Sequence, residues 1–143
     1  MRPVDIVIDT NVFYAGLRSN RGASFLLLSE IGKNRLFQVH ISVSLILQYE
    51  EIAKRHARSL GLTYQDIDEI LDYFCSVAEH HDIFYLWRPC LPDPDDDMLL
   101  ELAVEAECDE IITYNTRDFR GTEQFGIGVS TPLELLRRIG VLA

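Results

Sequence analysis

The chain has 143 residues, 48% of them apolar, and carries 23 acidic against 13 basic side chains, a formal net charge of −10. That length suits one domain, which buries roughly two-thirds of the surface its unfolded form exposes and needs no disulfide or metal staple to fold. A chain only 25% charged is too apolar for disorder, and no apolar run nears the roughly 20 residues of a membrane span.

The elements follow in chain order. MRPVDIVIDTN lacks a signal peptide's uninterrupted apolar region and enters a strand pattern at once. A cytoplasmic protein without membrane contact is therefore expected. Val4, Ile6, Val7 and Ile8 suit a strand buried on both faces, as in a parallel sheet, ending at Asp9. Ser24 to Lys33 reads as a helix and Leu36 to Ile41 as a second strand. Ser42 caps a long helix to about Leu60, where Gly61 stops it. Thr63, with Asp66 three positions on, opens a helix to about His80. Ile83 to Trp87 reads as a third strand and Arg88 to Pro94 as a loop. Pro94 starts a helix to about Cys108. Glu110 to Tyr114 is a fourth strand, Ile127 to Val129 a short fifth, and Thr131 with Pro132 opens a last helix ending at Gly140. This alternation predicts a single α/β domain over residues 1–143, a three-layer α/β/α sandwich with a mostly parallel sheet of about five strands. Cys75, Cys90 and Cys108 are odd in number and form no CxxC pair, so they are expected to be reduced.

Charge is unevenly placed. Residues 1–71 hold 8 acids and 8 bases, whereas residues 72–143 hold 15 acids and 5 bases. In a parallel sheet ligands bind beyond the carboxyl ends of the strands, so residues directly after a strand are the ones to examine. Asp9-Thr10-Asn11 follows the first strand, Asn115-Thr116-Arg117-Asp118 the fourth, and Asp93 to Asp97 opens a helix that shares their edge. Clustered carboxylates repel one another and call for a cation; hard oxygen ligands suit Mg²⁺ or Mn²⁺, and with them phosphate chemistry. On the helix, successive residues turn by about 100°, and Leu99, Ala103 and Ala106 form a stripe headed by Asp96. Asp97 continues instead into Glu101 and Glu105, read as an outward charged face.

Each acid also has a plainer reading. Asp9 can end a strand, Asp93 cap a helix, Asp95 and Asp97 complement the helix dipole, and Asn115 and Asp118 form Asx-turns. His80-His81 reads as a helix end, adjacent histidines making a poor metal pair, and His40 and His56 have no second ligand at useful spacing. No GxGxxG, GxxxxGK[ST] or G-x-S-x-G is present, which removes support from dinucleotide, P-loop and hydrolase-fold readings.

Taken together, IVIDTNVF (Ile6 to Phe13), SLILQYEEIAKR (Ser44 to Arg55), DPDDDMLLELAVEAECDEIITYNTRDF (Asp93 to Phe119) and STPLELL (Ser130 to Leu136) resemble the PIN-domain nucleases, in particular the VapC-like toxins of type II toxin–antitoxin pairs. The resemblance implies a metal-dependent endoribonuclease with a PIN-like sheet and an acid cluster binding Mg²⁺ or Mn²⁺. By position Asp9 matches the family's first acid, Asp96 the helix-head acid and Asp118 the acid of T-x-[ND]-x-x-D-F. Asn115 stands where many members have Asp. The departure is Gln48, where the family's second acid precedes the Tyr. Glu51 lies roughly 60° round the helix from it, but a wheel through Leu45, Tyr49, Ile52 and His56 turns Glu51 from the apolar face. Reduced metal affinity or lost activity is the expectation.

On this reading Asp9, Asp96 and Asp118 hold the metal, Asn11 and Asn115 orient ligands or water, and Arg18, Arg21, Arg117 and Arg120, on predicted loops, form an RNA-binding rim. The family analogy adds a small antitoxin protein as partner and a homodimer. Two rivals remain: a catalytically weakened PIN-like binding module, and an aspartate phosphotransfer domain. The second lacks a DxD partner, since Asn11 stands there, and has no Lys after Lys54.

Overall fold

Three consecutive β-branched residues with no access to water mark the centre of the molecule. Ile6, Val7 and Ile8 of strand β1 (Val4–Ile8) are each 0% exposed, which requires cover on both faces of the strand. The structure is a computed structural model describing residues 2–83, 91 and 93–143, with Pro94 by its backbone alone. On one side β1 pairs with β2 (Phe37–Ile41), and on the other with β4 (Glu110–Ile112). Strand β3 (Glu79–His80) lies outside β2, and β5 (Gly128–Ser130) outside β4. The order is β3-β2-β1-β4-β5, with every pairing parallel.

The helices are α1 (Thr10–Arg18), α2 (Ala23–Glu30), α3 (Val43–Arg55), the single turn α4 (Ala57–Leu60), α5 (Tyr64–Val77), α6 (Pro94–Glu105) and α7 (Pro132–Arg138). Helix α6 packs on β1, β2 and β4; α1, α2, α3, α5 and α7 pack on one another as a second layer, giving the α/β/α arrangement expected from the sequence. Aromatic rings tie that second layer to the sheet. Phe13 stacks on Tyr49 at 4.4 Å between centroids, Phe74 meets both edge-on, and the buried Tyr49 hydroxyl donates to the carbonyl oxygen of Ile8. Caps stand where the sequence puts them: Ser42 accepts from the Leu45 amide, and Thr63 with Asp66 and Thr131 with Glu134 form reciprocal capping boxes.

Several elements differ from expectation. The stretch after Asp9 is helical: Asp9 is still extended, and Val12, Phe13 and Gly16 then make a buried face at helical spacing. Arg18 therefore ends a helix rather than lying on a loop. The long helix from Ser42 breaks at His56, whose backbone leaves helical geometry. Helix α5 stops at Val77, and Glu79–His80 pairs with His40–Ile41 as an edge strand where a helix end was expected. His80 still serves that helix end, its Nε2 lying 2.8 Å from the Cys75 carbonyl oxygen. Residues 84–87 of the expected third strand, and most of the loop to Pro94, lie outside the described residues. Glu101, assigned to an outward charged face, is only 7% exposed. The chain before α6 folds back over that side, with buried Leu91 donating its amide to Asp97 Oδ1 at 2.9 Å. Among the described residues no helix is long and apolar enough to cross a membrane.

Helices α1 and α2 cross where α1 has no side chain. A Cβ on Gly16 would lie 2.3 Å from Leu28 Cδ1 and 3.1 Å from the Ser24 carbonyl oxygen. Gly16→Val should therefore cost about 2 kcal/mol through overpacking. Urea unfolding measures it, with the midpoint falling and the slope unchanged.

Candidate active site

The strand order reverses direction at β1, whose neighbours β2 and β4 carry the chain away to opposite sides. A parallel sheet opens a crevice at such a switch point, beyond the carboxyl ends of the two strands. Asp9 stands at the end of β1, its amide donating to the Ile112 carbonyl oxygen at 2.9 Å, and its carboxylate is almost closed off at 8% exposure. Facing it across the crevice is Thr113, the residue after β4, fully buried. Thr113 Oγ1 donates to Asp9 Oδ2 at 2.7 Å and accepts from Asn11 Nδ2 at 3.3 Å and the Asn115 amide at 3.0 Å. Asn11 Oδ1 accepts in turn from the Tyr114 amide at 3.4 Å. One hydroxyl thus fixes Asp9, Asn11 and the start of the Asn115 loop together. Thr113 was absent from the sequence-derived site because Glu110 to Tyr114 reads as strand. Its only signal was its place at the strand's end.

The head of α6 closes the crevice. Asp93 caps the helix, its Oδ1 accepting from the Asp95 amide at 2.9 Å, as its plainer reading has it. Asp95 does more than complement the dipole: its Oδ1 accepts from Gln48 Nε2 at 3.1 Å, while Gln48 Oε1 accepts from Thr10 Oγ1 at 3.3 Å. Gln48 is delivered to this spot by Tyr49, whose hydroxyl is anchored one residue before Asp9. The result is a cavity of about 470 Å³ in which Asp9, Asp93, Asp95, Asp96, Asn11 and Asn115 meet Thr10, Tyr14, Gln48, Glu51 and Arg55.

Of the residues singled out in the sequence, Asp9, Asp96, Asn11, Asn115, Gln48 and Glu51 line this cavity. Asp118 sits exposed in a 3₁₀ turn (Thr116–Phe119) directly after Asn115, outside the lining but near enough for its charge to act on Asp96. The four rim arginines are exposed and none lines the acidic cavity; Arg18 lies over the Tyr14 ring at 5.6 Å and borders an adjoining hollow of about 530 Å³ that shares Asn11 and Tyr14. The cation on the cavity wall is Arg55, paired with Glu51 one turn before it on α3.

Crowding sets the protonation. Burial, then the charges of Asp9, Asp93, Asp118 and Asp95, push Asp96 from 3.8 up to about 7. Asp9 is also raised, mainly by burial, although Thr113 and the amides of Thr10 and Asn11 pull it back by hydrogen bonding to its charged form. The Tyr49 phenol is held well above its ordinary range by burial and by Asp9, so it remains a donor. Oxygen donors gathered at this density, with one guanidinium already paired on the wall, suit a small hard divalent cation.

A family model for the PIN domain matches residues 5–117, and the chain belongs to the PIN-domain family. No curated protein matches it in sequence. Among solved structures it is similar to a chain of VapBC2 from Rickettsia felis bound to a DNA fragment from their promoter, with a TM-score of 0.60 and 12% identity over 90% of this chain and 98% of that one. At that identity the likeness is one of fold.

A carboxyl with a raised native pKa binds a proton in the folded chain that the unfolded chain has already released. Stability should therefore fall as pH climbs from about 4 to about 7. In EDTA, Asp96→Asn should melt above wild type at pH 8, and the gap should close toward pH 4. A thermal-shift series across that range measures it; a gap independent of pH would contradict the assignment.

Proposed function

We propose that this chain is a toxin-type PIN endoribonuclease that hydrolyses phosphodiester bonds of single-stranded RNA with Mg²⁺ or Mn²⁺. The observation that carries the reading is that Asp9 and Asp96 line one cavity at the switch point, where burial and then the neighbouring carboxylates push Asp96 up to about 7. Asp9 and Asp96 would hold the metal, with Asp118 contributing from the adjoining turn. A bound divalent cation supplies an activated water and charge stabilisation on the scissile phosphate. Thr113 holds Asp9 in one orientation, and Asn11 and Asn115 carry amide groups to the cavity from the two strand ends.

The substrate class is read from the walls. Tyr14 and the 45% exposed Tyr114 line the adjoining hollow with Arg18, and aromatic faces beside a guanidinium suit unpaired bases and their phosphates. Arg55 lines the acid cavity, and Arg21, Arg117 and Arg120 are offered as further phosphate contacts. The likeness to a VapBC2 chain supports a small antitoxin as partner; a homodimer and a cytoplasmic setting belong to the same proposal by family analogy. The test is cleavage of single-stranded RNA with Mn²⁺, with EDTA and by Asp9→Asn. EDTA should abolish cleavage and Asp9→Asn lower it at least about 100-fold; equal rates in all three would rule the mechanism out.

Gln48 favours a second reading, a PIN-like binding module. Its amide engages Asp95 without adding charge for a cation. Gln48→Glu should tighten Mn²⁺ binding about tenfold, read as a larger Mn²⁺-dependent rise in melting temperature. If wild type shows no such rise and cuts no RNA while Gln48→Glu does both, the binding-module reading holds.

A further inference from the structure

Beside the edge of the sheet, where β3 pairs with β2, the side chains of Asp5, His40, Glu79 and His81 converge without sharing a member with the acid cavity. His40 is 3% exposed, and its two ring nitrogens face different partners. Nε2 lies 2.8 Å from Asp5 Oδ1. Nδ1 lies 2.8 Å from His81 Nε2 and 3.5 Å from Glu79 Oε2. The strand register brings them together: His40 is paired with Glu79, and His81, two residues on, returns to the same face while its amide donates to the Ile41 carbonyl oxygen at 2.9 Å.

A carboxylate only accepts, so His40 gives its Nε2 proton to Asp5, and in the neutral ring a lone pair is left on Nδ1. That lone pair faces the Glu79 carboxylate and the second imidazole. Either His81 Nε2–H donates to that lone pair, or His81 in its other tautomer turns a second lone pair toward it and the two imidazoles share a cation with Glu79. The three donor atoms all lie within 4.8 Å of one another. Around a tetrahedral ion with ligand bonds of about 2.0–2.2 Å, donors stand about 3.3 Å apart, between the two separations measured here. The carboxylate on the far side of His40 is the outer partner that metal-bound histidines ordinarily have.

We propose that His40, His81 and Glu79 form a zinc-type site, two imidazoles and a carboxylate with a fourth position open, oriented by Asp5 and clamping the edge strand β3 onto β2. Nitrogen donors distinguish it from the all-oxygen acid cluster, and it selects a softer ion. The rival that satisfies the same contacts is metal-free: a hydrogen bond from His81 Nε2–H to neutral His40 Nδ1, or a doubly protonated His40 between Asp5 and Glu79.

The full-length chain, stripped of metal, is titrated with Zn²⁺ against a chromophoric chelator, alongside Asp9→Asn/Asp96→Asn to silence the acid cluster. The double variant should take up one equivalent, with the affinity of the matching site in wild type, and gain melting temperature. Glu79→Gln, at a 61% exposed side chain, should fold as wild type and bind at least about tenfold more weakly. His81→Ala should behave likewise, and Asp5→Asn should weaken binding while leaving one equivalent. Were His81→Ala not to fold, Glu79→Gln alone decides. Absence of Zn²⁺ uptake, uptake lost in the Asp9/Asp96 variant, or uptake unaltered by Glu79→Gln would overturn the site and leave metal-free hydrogen bonds of His40 as the account.

Discussion

The contact between Thr113 and Asp9 is the constraint on which the site depends. Strands β1 and β4 lie side by side but are separated by most of the chain, and their exits are joined by the buried Thr113 hydroxyl, which bonds Asp9 and Asn11, with a longer bond from the Tyr114 amide to Asn11 beside it. Because Thr113 is fully enclosed, its oxygen must find partners within the protein, and the partners available are Asp9, Asn11 and the Asn115 amide. The same bond that satisfies a buried threonine therefore orients a buried acid and draws the loop after β4 over it. Packing and chemistry meet at one atom.

Holding acids this close works against folding. Burial disfavours the charged form of Asp9, and Asp96 lies in the field of four other carboxylates. Only a few neutralising contacts are built in: hydroxyl and amide donors on Asp9, the Gln48 amide on Asp95, and Arg55, already committed to Glu51. Gln48 is informative here. An acid at its position would face Asp95 directly, whereas the amide donates to it and is itself held by Thr10. An amide at this position relieves repulsion among the carboxylates at the expense of a charge that a cation would use.

Much of this was legible in the sequence, for local reasons. A continuous run of β-branched residues in β1 can only be a doubly covered strand, and Ser42, Thr63 and Thr131 announce helix starts through bonds to residues three positions on. Asp9 follows from the strand end, and Asp96 from the helical stripe it heads. What escaped depends on neighbours distant in sequence. Helix α1 was missed because its buried face is short and interrupted by Gly16, which only makes sense once Leu28 is seen against it. Thr113 looks like any strand residue. Histidine spacing was judged along the chain, pairing His80 with His81, whereas the spatial partner of His81 is His40 on the adjacent strand.

The uneven charge acquires a structural meaning from this geometry. The acidic half of the chain supplies Asp93, Asp95, Asp96 and Asp118 to one edge, and the balanced half supplies Asp9 together with Arg18 and Arg55. Arg18 and Arg55 are thus carried on α1 and α3, the two helices that pack against each other beside the crevice, while Arg117 and Arg120 stand exposed in and just after the 3₁₀ turn that follows Asn115. An anionic polymer would be repelled by the net charge at long range, but salt screens that repulsion beyond about 8 Å under physiological conditions. Inside that distance the local order of charges decides, and here Arg55 lines the acid cavity while Arg18 with Tyr14 and Tyr114 lines the hollow beside it. An overall charge of −10 therefore does not prevent positive charge from standing beside the acid cluster.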